Sequence, residues 1–187
     1  MSLSSKEAIL AAARRTAQAH GYSGLNFREL ADEVGIKAAS IYHHFPSKAD
    51  LGAAVARRYW EDTAAHLESM LAETPDPIRC LCRYPDVFRR SLASDNRMCL
   101  CSFMSAEYDD LPEPVKKEVQ TFADVNVAWL SKLLSAAGVV NSGESEQRAR
   151  AIFAAVAGAQ LMARSRSDIS LFDSLIDNYR IAGLLPA

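Results

Sequence analysis

Strand signals are nearly absent from this chain. It has no Asn-Gly or Asp-Gly hairpin turn and few clustered β-branched residues, which argues against a β-rich architecture. No apolar run approaches the ~20 uncharged residues of a membrane span. The opening Met1-Ser2-Leu3-Ser4-Ser5-Lys6-Glu7 lacks the long apolar core of a secretory signal, so the expectation is a cytoplasmic protein. Cysteine is limited to two Cys-x-Cys pairs, Cys80/Cys82 and Cys99/Cys101. Structural zinc sites usually space a ligand pair by two to four residues, and residues two apart on a helix diverge by roughly 200°. Disulfides are a poor default in a cytosolic chain. Neither a metal nor any other cofactor is expected. No Gly-rich phosphate loop, His-Glu-x-x-His or Gly-x-Ser-x-Gly elbow is present, so the chain does not read as an enzyme.

What is present is helix after helix. The chain has 187 residues, 49% of them apolar and 24% charged, enough for one domain or two small ones without a disulfide or metal to hold the core. The net charge of −2 gives no hint of a nucleic-acid partner, but residues 1–48 carry six Lys/Arg against four acids. Three helix starts show a capping-box pattern: Ser4 to Glu7, Asn26 to Glu29, and Ser47 to Asp50. The expected helices run from about Ser5 to His20, Phe27 to Val34, Lys37 to His44, and Ser47 to Leu71. Beyond them the expected helices are Ile78 to Ser91 (kinked or divided at Pro85), Met98 to Glu107, and one opened by Leu111-Pro112-Glu113-Pro114 and running to about Ala137. Gly138 and Asn141-Ser142-Gly143 close that one, and the last two run from Ser145 to Arg166 and from Leu171 to Leu184.

Residues 21–51, GYSGLNFRELADEVGIKAASIYHHFPSKADL, set two short helices around a Gly-containing turn. Phe27, Leu30, Ala31 and Val34 form the packing face of the first, Gly35 makes the turn, and Ile36 and Ile41 anchor the second. Lys37, Ala38, Ala39, Ser40, Tyr42 and His43 are then left on the outer face or near its start, where short side chains let a backbone approach a major groove. His43 and His44 are adjacent and diverge by ~100°, so they cannot face one ion.

This segment resembles the DNA-binding domain of the TetR/AcrR family of transcriptional regulators. The most specific part is Leu30-Ala31, Val34-Gly35-Ile36, Ser40 to Lys48 and Leu51. The resemblance implies an all-α fold with an N-terminal three-helix helix-turn-helix domain over residues 3–63. A larger helical effector-binding and dimerisation domain would occupy 64–187. It implies a homodimer that represses by binding a near-palindromic DNA operator and is released by a small-molecule effector. Tyr42 and Lys48 are implied to hold phosphates, with Lys37, Ala38, Ser40 and His43 facing bases or backbone. Asn26 stands where relatives often have Thr, and Arg28 joins the DNA-binding set.

Aromatic and sulfur side chains accumulate between residues 59 and 129. Trp60, His66, Cys99, Phe103, Tyr108, Asn126 and Trp129 are the candidates for contacting an effector, with Glu107 a further polar group able to orient one. Few are charged, which favours an apolar or aromatic molecule with one or two polar groups. Residues 98–122 resemble the Cys-Leu-containing helix of an AcrR-like branch, some members of which sense electrophiles through a cysteine here. That makes modification of Cys99 the alternative to reversible binding. Ala151, Ala154, Ala155, Ala157, Gly158, Ala159 and Ala163, with the apolar repeat from Leu171 to Leu184, are read as the dimer interface.

Overall fold

The foreseen helix starts carry their caps. Ser4 Oγ accepts the N–H of Glu7 at 3.3 Å, and Asn26 Oδ1 accepts those of Arg28 and Glu29 at 2.8 and 3.4 Å. Ser47 Oγ accepts the N–H of Asp50 at 3.1 Å. The acids of two of these boxes turn elsewhere. Asp50 accepts the Ser47 hydroxyl at 2.7 Å, and Glu7 pairs with Arg58 at 3.0 Å.

The computed structural model describes residues 4–141 and 143–186. Leu3 and Ala187, the outer limits of the expected domains, and Ser142 of the expected turn lie outside the described residues. The elements are α1 (Ser5–His20), α2 (Phe27–Val34), α3 (Ala38–His44), α4 (Lys48–Glu73), α5 (Pro77–Arg83), α6 (Asp86–Ala93) and α7 (Leu100–Ala106). A 3-10 turn at Tyr108–Asp110 precedes α8 (Glu113–Ala136), α9 (Ser145–Arg166) and α10 (Ile169–Ile181). There is no strand among the described residues, and the fold is all-α. Contacts divide the chain into two units. The first holds the residues up to Glu61 together with Leu100–Phe122, and the second holds Asp62–Cys99 together with the chain from Ala123 onward.

Where elements differ from the sequence reading, the reasons are local. Pro85 lacks the N–H a continuous helix needs, so α5 and α6 are separate. Helix α7 starts only at Leu100, because the Cys99 N–H donates to Gln160 Oε1 (3.0 Å) rather than to a helical carbonyl. It follows Asp95 and Asn96, both at positive φ. The 3-10 turn closes ahead of Pro112, which holds Leu111 extended at ψ 134°. Helix α10 begins two residues earlier than expected, since Asp168 Oδ1 caps Ser170 and Leu171.

In the first unit α1, α2 and α3 pack pairwise. Ile9, Ala13, Ala17, Leu30, Ala31, Ile41, Phe45 and Leu51 are each at most 3% exposed. The alanines let the helices approach while Ile41 and Phe45 fill the space between, each large side chain contributing about 1.5–3 kcal/mol by its burial. The unit also contains a buried carboxylate. Glu118 on α8 is 4% exposed, accepting from Arg57 Nε and Nη2 at 3.1 and 2.6 Å and from Trp60 Nε1 at 2.8 Å. Burial raises its pKa, but the hydrogen bonds from Arg57 and Trp60 outweigh that and leave the carboxyl below its ordinary value. In the second unit α6, α9 and α10 pack on one another around Phe88, Ile152, Val156 and Phe172.

Because the folded pKa of Glu118 is lowered, its contribution to stability is full above the unfolded value and fades as pH falls through the folded one. Glu118→Gln therefore lowers the unfolding free energy by about 1–3 kcal/mol near neutrality. In denaturant titrations the gap between the two proteins narrows as the pH is taken down through the carboxylate range. A gap that persists unchanged in acid excludes the charge as its source.

Candidate nucleic-acid interface

Gly35 ends α2 in the left-handed region, φ 74° and ψ 34°, and the N–H of Ile36 bonds back to Ala31 C=O at 2.9 Å. This closing motif suits glycine, which carries no Cβ penalty there, and it aims the chain straight into α3. Only Ile41 of α3 is fully buried. Lys37, Ala39, Tyr42 and His43 are exposed, and Ala38 and Ser40 are half-buried. The helix is thus attached mainly through Ile41 and leaves Ala39, Tyr42 and His43 exposed to solvent.

Beside it lies a concavity of about 340 Å³, lined by Leu25, Asn26, Phe27, Arg28, Tyr42 and Lys48. Four residues read from the sequence as DNA-binding meet here, from the start of α2, the end of α3 and the start of α4. The Tyr42 ring leans on Phe27, centroids 4.7 Å apart, while the residue stays 56% exposed. Lys48 Nζ donates to Ser23 C=O at 2.9 Å and lies 4.9 Å from the centroid of the Tyr22 ring. Burial raises the Tyr22 phenol's pKa, so the ring under that ammonium stays neutral. Neither a carbonyl nor a ring cancels a charge. By contrast Arg15 is paired with Glu33 at 2.7 Å and Arg58 with Glu7 at 3.0 Å. Lys48, on the concavity, is among the cations held without a carboxylate partner. His43 and His44 sit edge to face at 5.3 Å. Among the described residues no group of three or more side chains could hold a metal ion.

Residues 9–55, which span α1 to α3 and the start of α4, match the family model of bacterial regulatory proteins, tetR family. The structure superposes on a TetR transcriptional regulator from Legionella pneumophila with a TM-score of 0.90 at 29% identity, covering 97% of this chain and 99% of that one. Residues 9–55 thus form a tetR-type DNA-binding domain. It is also 28% identical over 170 residues to the transcriptional repressor NemR of Escherichia coli, covering 87% of this chain and 85% of NemR. A shorter match, 38% over 68 residues, links it to the repressor AcnR of Corynebacterium diphtheriae, where it spans about a third of that relative (34%). With that domain, the chain is a DNA-binding transcriptional regulator.

The effector candidates of this regulator fall in both units. In the first, Trp60 spends its indole N–H on Glu118. Phe103 is half-buried on α7. Tyr108 is 41% exposed, its hydroxyl accepting from Gln120 at 3.0 Å and its ring beneath Lys116. In the second unit His66 lies against the Arg90 guanidinium; burial first, and then the Arg90 charge, lower its pKa.

Cys99, Asn126 and Trp129 gather around a residue the sequence reading passed over, Tyr84. That ring is fully buried, donates its hydroxyl to Asn126 Oδ1 at 3.0 Å and stacks on Trp129 at 5.9 Å. Burial, and then the nearby Cys99, push the phenol far above its ordinary range, so it stays a donor. Gln160, also missed, is fully buried and joins Cys99 N–H to the Phe88 carbonyl. A lone Gln in an Ala-rich stretch was the available signal. The Trp129 Nε1–H is buried without a hydrogen-bond partner, which costs about 1–3 kcal/mol.

The Asn26 cap sets the mouth of the concavity. Asn26→Ala costs about 1 kcal/mol in chemical denaturation, and Asn26→Ser recovers most of it. Equal losses from both variants show that the side chain acts other than as a cap.

Proposed function

We propose that this chain is an operator-binding repressor acting in the cytoplasm as a homodimer and released by a small apolar or aromatic effector. Its DNA-binding domain is assigned to residues 3–63 and its effector-binding and dimerisation domain to 64–187. The observation that carries the reading is the convergence of Asn26, Arg28, Tyr42 and Lys48 on one concavity beside an exposed α3. An ammonium, a guanidinium, a phenol and a helix start together suit phosphate oxygens, which position a protein on DNA. Lys37, Ala38, Ser40 and His43 then face the groove. With alanines and a serine at its centre, α3 reads thymine methyls and duplex shape more than hydrogen-bonding edges.

One α3 touches too few bases to be specific, which is the physical reason for a pair. Support for the pair comes from α9, whose exposed side carries Ala151, Ala154, Gly158, Leu161 and Met162. Leu161 is 55% and Met162 45% exposed, and a Cβ on Gly158 would meet nothing. The effector is assigned to the surroundings of Tyr84, Asn126 and Trp129. The unpartnered indole N–H there favours a flat molecule with one hydrogen-bond acceptor. Helix α4 begins at Lys48, so an effector that favours a turned α4 respaces the two phosphate grips and lowers operator affinity.

The alternative is covalent modification of Cys99, which lies close to Tyr84. Its 2% exposure means that an electrophile reaches it only when the surrounding helices part. Loss of DNA binding after mild alkylation, abolished by Cys99→Ser, separates this from reversible binding.

Two outcomes test the main reading. Tyr42→Phe with Lys48→Ala weakens binding to a duplex enriched from a random library by at least tenfold. It also lowers the slope of log K against log salt by about one for each Lys48 withdrawn; unaltered affinity at moderate ionic strength contradicts the assignment. Gly158→Glu converts a dimer to a monomer in sedimentation velocity with its unfolding midpoint nearly unchanged. A variant that stays dimeric moves the interface elsewhere.

A further inference from the structure

We propose that Glu107, the residue immediately after α7, is a positioning residue for DNA binding. Its carboxylate latches the α1–α2 turn, and that turn in turn sets the phosphate-binding ammonium of Lys48. The inference rests on the operator-binding reading above.

The turn from Gly21 to Gly24 runs past the C-terminus of α1; the Gly21 N–H still bonds back to Ala17 C=O at 2.9 Å, but the N–H groups of Tyr22 and Ser23 turn to a side chain instead. Glu107 supplies both acceptors. Its Oε2 takes the Tyr22 N–H at 2.6 Å and its Oε1 takes the Ser23 N–H at 3.1 Å. Two bonds from one rigid carboxylate fix the orientation of successive peptide planes. The seat of Lys48 follows directly: the side chain of Tyr22 and the carbonyl of the next peptide, that of Ser23. The Ser23 carbonyl accepts Lys48 Nζ at 2.9 Å, and the Tyr22 ring lies beneath the same ammonium. The Tyr22 ring is wedged against α4 one turn further on, where a Cβ on Gly52 would approach it to 2.7 Å.

The latch has room only because of its neighbour. Gly21 sits at φ 70°, a conformation that suits glycine, and a Cβ there would run into the Glu107 carboxylate. Glu107 is itself held at the backbone. Its N–H donates to Met104 C=O and its C=O accepts from Asp110, both at 2.9 Å, between the buried Met104 and Leu111. Helix α7 also packs on α1. A side chain that the sequence placed among ligand-orienting groups is thus committed to the DNA-binding turn. A displacement of α7 would withdraw it, leaving Lys48 a free and more disordered side chain.

Glutamine has the same shape as glutamate but only one acceptor oxygen, and its NH₂ would face an N–H. Aspartate keeps the charge but falls short. The test therefore compares native protein, Glu107→Gln, Glu107→Asp and Lys48→Ala, with the double variant Glu107→Gln/Lys48→Ala. The DNA probe is the duplex that the native protein enriches from a random library, and amide exchange at Tyr22 and Ser23 is followed in parallel.

The latch predicts faster exchange at both amides and roughly tenfold weaker binding in each Glu107 variant. It also predicts no further loss when Glu107→Gln is added to Lys48→Ala, because the two act on one contact. Native affinity in Glu107→Gln, unaltered amide exchange, or losses that add in full would each overturn it. If only Glu107→Asp binds normally, the effect is one of charge and the latch is wrong. Failure of the native protein to enrich any duplex overturns the DNA-binding reading itself, and this role of Glu107 with it.

Discussion

The arrangement of the first unit turns on a cation that is held without being neutralised. Lys48 opens α4, and its ammonium rests between a backbone carbonyl and an aromatic face, 2.9 Å from Ser23 C=O and 4.9 Å from the centroid of Tyr22. Both partners orient the charge and neither cancels it. Other cations of the same unit are answered by carboxylates: Arg15 by Glu33, Arg58 by Glu7, and Arg57 by the buried Glu118. The unit's overall charge matters less than which of its cations remain available. Solvated surface pairs contribute little to stability, but they decide where an unpaired positive field persists.

The second unit has the opposite character. Several of its polar groups, Asn126 and Gln160 among them, are buried, and these are hydrogen-bonded. Tyr84 bonds Asn126, and Gln160 joins the Cys99 N–H to the Phe88 carbonyl, in a core where an unmet polar group is expensive. The Trp129 N–H stands out against that background. If the second unit binds an effector as proposed, an interior with a ring of hydrogen bonds around Tyr84 and an indole donor left over is one that could exchange its own contacts for those of a ligand. Effector specificity would then follow from which acceptor meets that donor while the stacked Tyr84 and Trp129 stay apolar.

Much of this was legible in the sequence wherever the interaction is local. The caps at Ser4, Asn26 and Ser47, the turn at Gly35 and the division at Pro85 each depend on residues within four positions. The helix-turn-helix was legible for the same reason, since its scaffold repeats at helical spacing over some thirty residues. What was hidden depends on distant partners. The indole N–H of Trp60 belongs to Glu118, 58 residues on, so an aromatic read as ligand-facing has a structural bond. Glu107 reaches back 85 residues to Tyr22, and α7 is shortened because Gln160 lies 61 residues beyond Cys99. Tyr84 went unnoticed because nothing in Cys-Arg-Tyr-Pro signals that its neighbours in space are Asn126 and Trp129. Periodicity shows which face of a helix is buried but not which polar atom waits on the other side.

The central claim is that residues 26–48 grip DNA phosphates and do so twice, through a symmetric pair of chains. Ethylation interference on a duplex enriched by the native protein tests it most directly, because it maps the phosphates without altering the protein. The account predicts two clusters of sensitive phosphates related by a dyad, each flanking a major-groove half-site. A single cluster, or phosphates spread evenly along the duplex, would contradict it.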